Sequence, residues 1–178
     1  MQAMPELSFW ETLRISTQQP EYLHVLFHGV PLYGLGFGIL MLALGWVLRS
    51  RRAEVLALVL VFISAASAWP VARWGDQGYD NVSTLRDMDR EGVDWLDEHM
   101  ERAEKMLPFF YSVAGLSLAA LLLPIWWPKT RRPLYALTLL GTLGASAAIG
   151  WVASAGGKIR HREFRYAAPP AKAGDAQR

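Results

Sequence analysis

Apolar and polar positions in this chain are gathered into blocks rather than interleaved. Four stretches contain no Asp, Glu, Lys or Arg: Tyr22 to Leu48, Val55 to Ala72, Met106 to Pro128 and Pro133 to Gly157. Each reaches or approaches the length needed to cross a hydrocarbon core of about 30 Å. An amphipathic helix of a soluble domain would place a polar side chain on nearly every turn, and these stretches do not. The pattern predicts an all-α, four-helix transmembrane bundle over residues 22–165, with spans at about 22–48, 55–72, 106–128 and 133–157. A polar tail, 1–21, precedes it. The tail 166–178 has no apolar pattern and is expected to be disordered. Val93, Leu96, Met100, Ala103 and Leu107 recur at helical spacing, so the third helix is expected to start near Gly92, outside the membrane, and to run through Pro108.

Small residues mark where helices can approach one another: Gly34, Gly36 and Gly38 in span one, Ser64 to Ala68 in span two, and Gly141, Gly144 and Ala148 in span four. Gly156-Gly157 reads as the end of the fourth helix. Trp46, Trp126 and Trp127 mark one interface, and Trp69, Trp74 and Trp151 the other.

Charge then orients the bundle. Arg49, Arg51 and Arg52 join spans one and two, Lys129, Arg131 and Arg132 join spans three and four, and the segment from Asp76 to Glu104 is strongly acidic. Short loops rich in Lys and Arg face the cytoplasm. Both termini are therefore expected on the outer, periplasmic side of a bacterial inner membrane. The net charge of +2, from 18 basic and 16 acidic residues, is a cancellation between opposite faces. It also explains a positive mean hydropathy of +0.15 in a chain that is 19% charged. The basic residues form no stripe, so nucleic acid is not an expected partner; the lipid bilayer is. With no cysteine, disulfides and thiolate chemistry are excluded. Walker, G-x-G-x-x-G, G-x-S-x-G and H-E-x-x-H motifs are absent, and no ionisable residue lies deep in a span.

The candidate chemistry lies in four histidines, His24, His28, His99 and His161. The four-span topology puts all of them at one end of the bundle, whichever end faces outward. His24 and His28 share a helical face. His99 stands beside Glu98 and Glu101, either of which could orient an imidazole. Arg160 and Arg162 flank His161 and suit haem propionates or another anion. One interfacial histidine is ordinarily a tolerated amphipathic side chain; three separate segments converging at one end point to a site. Two imidazoles from different helices would ligate haem b, with His99 and His161 as the first pair and His24 or His28 as the alternative partner. The alternative is a copper or zinc site drawing on His24, His28, His99, His161, Glu98 and Glu101. A third reading is a non-catalytic assembly subunit whose acidic face docks a cytochrome or other redox membrane complex.

The segment Gly156-Gly157-Lys158-Ile159-Arg160-His161-Arg162-Glu163-Phe164-Arg165 resembles the G-G-x-I-R-H-P-E-I-R ending of a bacterial family of four-helix membrane proteins of unknown function. Here Arg162 and Phe164 stand at the Pro and the second Ile. The family opens span one with L-H, four residues, then H-x-P. Leu23-His24 and Pro31 match, with Gly29 in the second His slot and His28 one position earlier. Glu98-His99 is similar to the family's E-H-x-x-A, with Arg102 in the Ala slot. The resemblance covers residues 22–165 and implies a histidine-bearing bundle like the haem b scaffolds of small membrane cytochromes, with a role in redox or cofactor binding.

Overall fold

The computed structural model describes residues 7–170. Its helices are α1 (Phe9–Ser16), α2 (Pro20–Phe27), α3 (Gly29–Leu48), α4 (Arg51–Ala66), α5 (Ala68–Ser83), α6 (Arg90–Trp126) and α7 (Arg131–Arg160), with short 3-10 turns at Pro128–Thr130 and Arg162–Phe164. No strand occurs among the described residues. Four helical stretches, Pro20–Leu48, Arg51–Ser83, Arg90–Trp126 and Pro128–Arg160, are long and apolar enough to cross a bilayer. The protein is a multi-pass, all-helical membrane protein.

Two of the four stretches are broken by proline. Pro31 offers no N–H to the Phe27 carbonyl four residues back, and the chain leaves α2 and enters α3 at His28. Pro70 does the same to the Ala66 carbonyl, and α4 gives way to α5 at Ser67. The second stretch thus runs on to Ser83, past the expected end at Ala72, because α5 continues as a helix with one face packed on α2 and another on α6. The third stretch is α6, 37 residues through Pro108 and Pro124. At 1.5 Å per residue it is about 55 Å long, well beyond the roughly 30 Å a membrane core requires. The polar residues ahead of span one include α1, held by a reciprocal cap in which Ser8 and Glu11 bond each other's backbone N–H. Of the C-terminal tail, residues 171–178 lie outside the described residues.

Neighbouring helices close a ring: α3 on α4, α4 on α6, α6 on α7, and α7 back on α3. Leu35 and Leu42 of α3, Leu58 and Val61 of α4, Phe110 and Val113 of α6 and Tyr135 of α7 fill it. Gly38 lets α3 and α4 approach, since a Cβ there would stand 2.7 Å from Val61 Cγ2. Gly36, on the same helix, has nothing within 4 Å of such a Cβ and faces outward. Several buried hydroxyls are satisfied inside the bundle, as lipid favours. Thr138 and Thr142 donate to the carbonyls of Leu134 and Thr138, and the Tyr135 hydroxyl donates across to the Leu42 carbonyl at 2.7 Å. The outward faces are apolar, with Phe37, Leu40 and Val47 of α3 and Leu137 and Leu140 of α7 exposed to the bilayer. Both short connections, Arg49–Ser50 and Trp127–Thr130, lie at one end; α2, α5 and the start of α6 meet the end of α7 at the other.

Candidate histidine site

At that second end α2, α5, α6 and α7 enclose a cavity of about 610 Å³ whose lining includes all four histidines. The rest of the wall is mostly aliphatic, including Leu32, Val71, Leu96, Leu107 and Ile149. His24 and His99 form its core. Their ring centres are 6.1 Å apart and the planes are nearly perpendicular, at 89°. His24 Nδ1–H donates to the Val71 carbonyl of α5 at 2.8 Å, and His99 Nδ1–H donates to the Val152 carbonyl of α7 at 2.9 Å. A carbonyl can only accept, so each neutral ring carries its proton on Nδ1 and keeps the Nε2 lone pair unused.

Glycines on the facing helices make these contacts possible. A Cβ at Gly75 would stand 2.8 Å from His24 Nδ1, and one at Gly156 would stand 3.1 Å from the His99 ring. Gly156 and Gly157 therefore lie within α7 and do not end it; the helix continues to Arg160. Its final carbonyls are met by Arg165, whose Nε donates to the Lys158 carbonyl and whose other nitrogen donates to the Ile159 carbonyl, both at 2.7 Å.

The other sequence candidates divide. His28 is exposed, stacks parallel to His24 with ring centres 6.3 Å apart, and directs Nδ1 to the Val25 carbonyl of its own helical turn. His161 lines the cavity wall from the exposed 3-10 segment, where its Nδ1 meets Glu163 at 2.9 Å and its ring stacks on Phe164. The ring that stands nearest His99 is that of His24. Glu98 accepts from Arg102, and Glu101 pairs with Lys105. Arg160 lines the cavity and holds Asp87, whereas Arg162 holds Asp89 and is not part of the lining. Among the described residues, no three His, Asp or Glu side chains gather closely enough to hold a metal ion.

Two further arginines, Arg102 and Arg165, brace the site. Arg102, buried on α6, donates to Glu98 at 2.6 Å and to the Trp151 carbonyl at 2.9 Å, and its guanidinium lies 4.5 Å from the Trp151 ring centre. It fixes α6 to α7 one turn beyond His99. Arg165 joins both oxygens of Asp89, at 3.0 and 2.8 Å, tying the segment after α7 to the start of α6.

The Arg165 guanidinium holds the Asp89 carboxyl down to about 2, against an ordinary 3.8, with the Gly92 N–H and Arg162 acting in the same direction. A depressed carboxyl stabilises the fold fully above its unfolded value and loses that contribution as pH falls through the folded one. Asp89→Asn is therefore expected to unfold at a lower temperature than the natural protein above pH 3.8, with the gap closing as pH falls toward about 2. Thermal unfolding in detergent across that range checks it, and a gap that does not change with pH contradicts the pairing.

The chain matches no protein-family model, no curated protein and no solved structure. The fold and the site define its class: an all-helical, multi-pass membrane protein with four candidate spans and a cavity at one end whose lining includes four histidines.

Proposed function

We infer that this protein is a haem b-binding redox subunit of the bacterial inner membrane, with His24 and His99 as the two axial ligands. The observation that carries the reading is the pair of Nδ1–H bonds to Val71 and Val152, made by two rings 6.1 Å apart that line one largely apolar cavity. Backbone carbonyls in this role fix the tautomer and ring orientation and raise the basicity of Nε2, as they do behind metal-bound histidines. Two imidazoles sharing one ion at nitrogen–metal distances of about 2 Å have ring centres roughly 6 Å apart. Two ligands suit haem, whose porphyrin fills the equatorial positions. A closed zinc site would need a third and a fourth side chain, and none gathers with these two among the described residues.

The cavity volume of about 610 Å³ lies in the range of cofactor sites, and its aliphatic wall suits a porphyrin. Haem held there supplies one-electron redox chemistry. The chain's own residues bind and orient it, exclude water, and set potential through the two imidazoles. Arg160 is the cation on the wall that would meet a propionate. Its bond to Asp87 is an exposed ion pair, which is worth little and can exchange. The resemblance of the Gly156–Arg165 segment and of Leu23-His24 to a histidine-bearing membrane family agrees with the assignment. Basic connections at the far end support a periplasmic position for the site. Exposed Asp76, Asp80 and Asp87 then suit a basic redox partner such as a cytochrome, in an association weakened by salt.

Protein purified in mild detergent from haem-replete cells is expected to show a Soret band and close to one haem b per chain by pyridine haemochrome assay. A preparation with no Soret band, before and after addition of hemin, would overturn the reading.

A further inference from the structure

The end of the bundle opposite the histidines carries a second cavity, of about 290 Å³, lined by Trp46, Arg49, Glu54, Arg131, Arg132 and Tyr135. Three cations line it, Arg49, Arg131 and Arg132, and Arg51, Arg52 and Lys129 lie close to them in sequence. One carboxylate faces them. Glu54 is buried and already engaged, accepting from Arg131 at 2.8 Å with Arg51 at 3.6 Å. Arg49 and Arg132, both exposed at the cavity wall, have no carboxylate partner among the described residues. Arg49 is held in place by its backbone, which takes the left-handed conformation (φ 51°) that ends α3.

The apolar surroundings fix the depth of this cavity. Trp46 on its wall is exposed, as are Val47, Trp126 and Trp127 at the same end of the bundle, the belt that sits at lipid headgroup level. Trp46 also stacks on Tyr135, with ring centres 5.9 Å apart, to form the cavity's apolar wall. A concave, cationic site at headgroup depth, with one wall apolar and two guanidinium groups unpaired, matches a phosphate on an acyl-chain-bearing molecule.

We propose that this cavity binds the phosphate of an anionic phospholipid, with Arg49 and Arg132 as its ligands and the Trp46–Tyr135 wall against the glycerol and upper acyl chain. The Glu54–Arg131 pair holds α4 to α7 and keeps the cavity open. The site is at the other end of the molecule from the histidines and does not depend on any cofactor.

Native mass spectrometry of the detergent-solubilised protein tests it, titrating phosphatidylglycerol, phosphatidylcholine and inorganic phosphate separately. Phosphatidylglycerol is expected to bind and to raise the thermal midpoint, while the other two do neither. Arg49→Gln with Arg132→Gln is expected to weaken phosphatidylglycerol binding about 30-fold, at roughly fivefold per arginine. Arg49→Lys with Arg132→Lys retains most of the charge and is expected to keep most of the binding, which separates loss of the ligand groups from loss of fold. The proposal is overturned if phosphatidylcholine binds equally, if inorganic phosphate gives the same shift, or if the glutamine variant binds as the natural protein does.

Discussion

Replacing His99 with alanine is expected to lower haem affinity by more than about 100-fold, beyond the 10–100-fold typical of losing only a supporting partner. His24→Ala is expected to do the same, because the two rings face one another across the cavity at 6.1 Å. His28→Ala and His161→Ala are expected to leave affinity within about threefold, a difference of under 1 kcal/mol. His28 bonds its own helical turn and His161 pairs with Glu163 at the exposed edge. Hemin titrations of the four purified variants measure this directly. Equal losses in all four, or a loss confined to His161, would mean that the ligands have been assigned to the wrong side chains.

Arg102→Ala is expected to cost about 2–3 kcal/mol of stability. Breaking a buried ion pair from one side typically costs about 3–5 kcal/mol, because the remaining charge is left without compensation. The lower figure reflects the slight exposure of this pair, 10% for the arginine and 15% for Glu98. The same change removes the donor to the Trp151 carbonyl and the stacking over Trp151. In a chain of this size the thermal midpoint should fall by roughly 5–10 °C. Adding Glu98→Ala removes the stranded carboxylate, so the double variant should be more stable than the sum of the two single losses implies. Differential scanning in detergent, run as a double-mutant cycle, checks both values. A strictly additive cycle would mean that Arg102 acts through its contacts to Trp151 and Ser154 and not through Glu98.

What could be seen beforehand follows from which forces act locally. The four spans are legible because a membrane core excludes charge, and the boundaries therefore lie at Arg49, Arg51, Lys129 and Arg131. The gathering of the histidines at one end follows from span parity alone. The continuation of α6 through Pro108 was visible in the spacing of Val93, Leu96, Met100 and Ala103. The breaks at His28 and Ser67 had their cause in plain view at Pro31 and Pro70, and Ser8-x-x-Glu11 is a capping signature within a stretch that otherwise reads only as polar. The pairing of His24 with His99 was not legible. It depends on α2 lying against α5 and α6 against α7, which puts the Val71 and Val152 carbonyls and the notches at Gly75 and Gly156 beside the two rings. No periodicity reports which helix neighbours which. Charge partners were equally hidden. Composition counts Arg160, Arg162 and Arg165 as a basic tail, but folding gives Arg160 to Asp87 and the other two to Asp89.

The spin and coordination state of hemin added to the purified natural protein tests the proposed haem site most directly. Two imidazole ligands require a six-coordinate, low-spin haem, visible in the optical spectrum and by electron paramagnetic resonance. His99→Ala should convert it to a five-coordinate, high-spin form, and added imidazole should restore the low-spin spectrum through the vacated position. A natural protein that is high-spin, or whose low-spin spectrum persists unchanged in both His24→Ala and His99→Ala, would contradict the assignment.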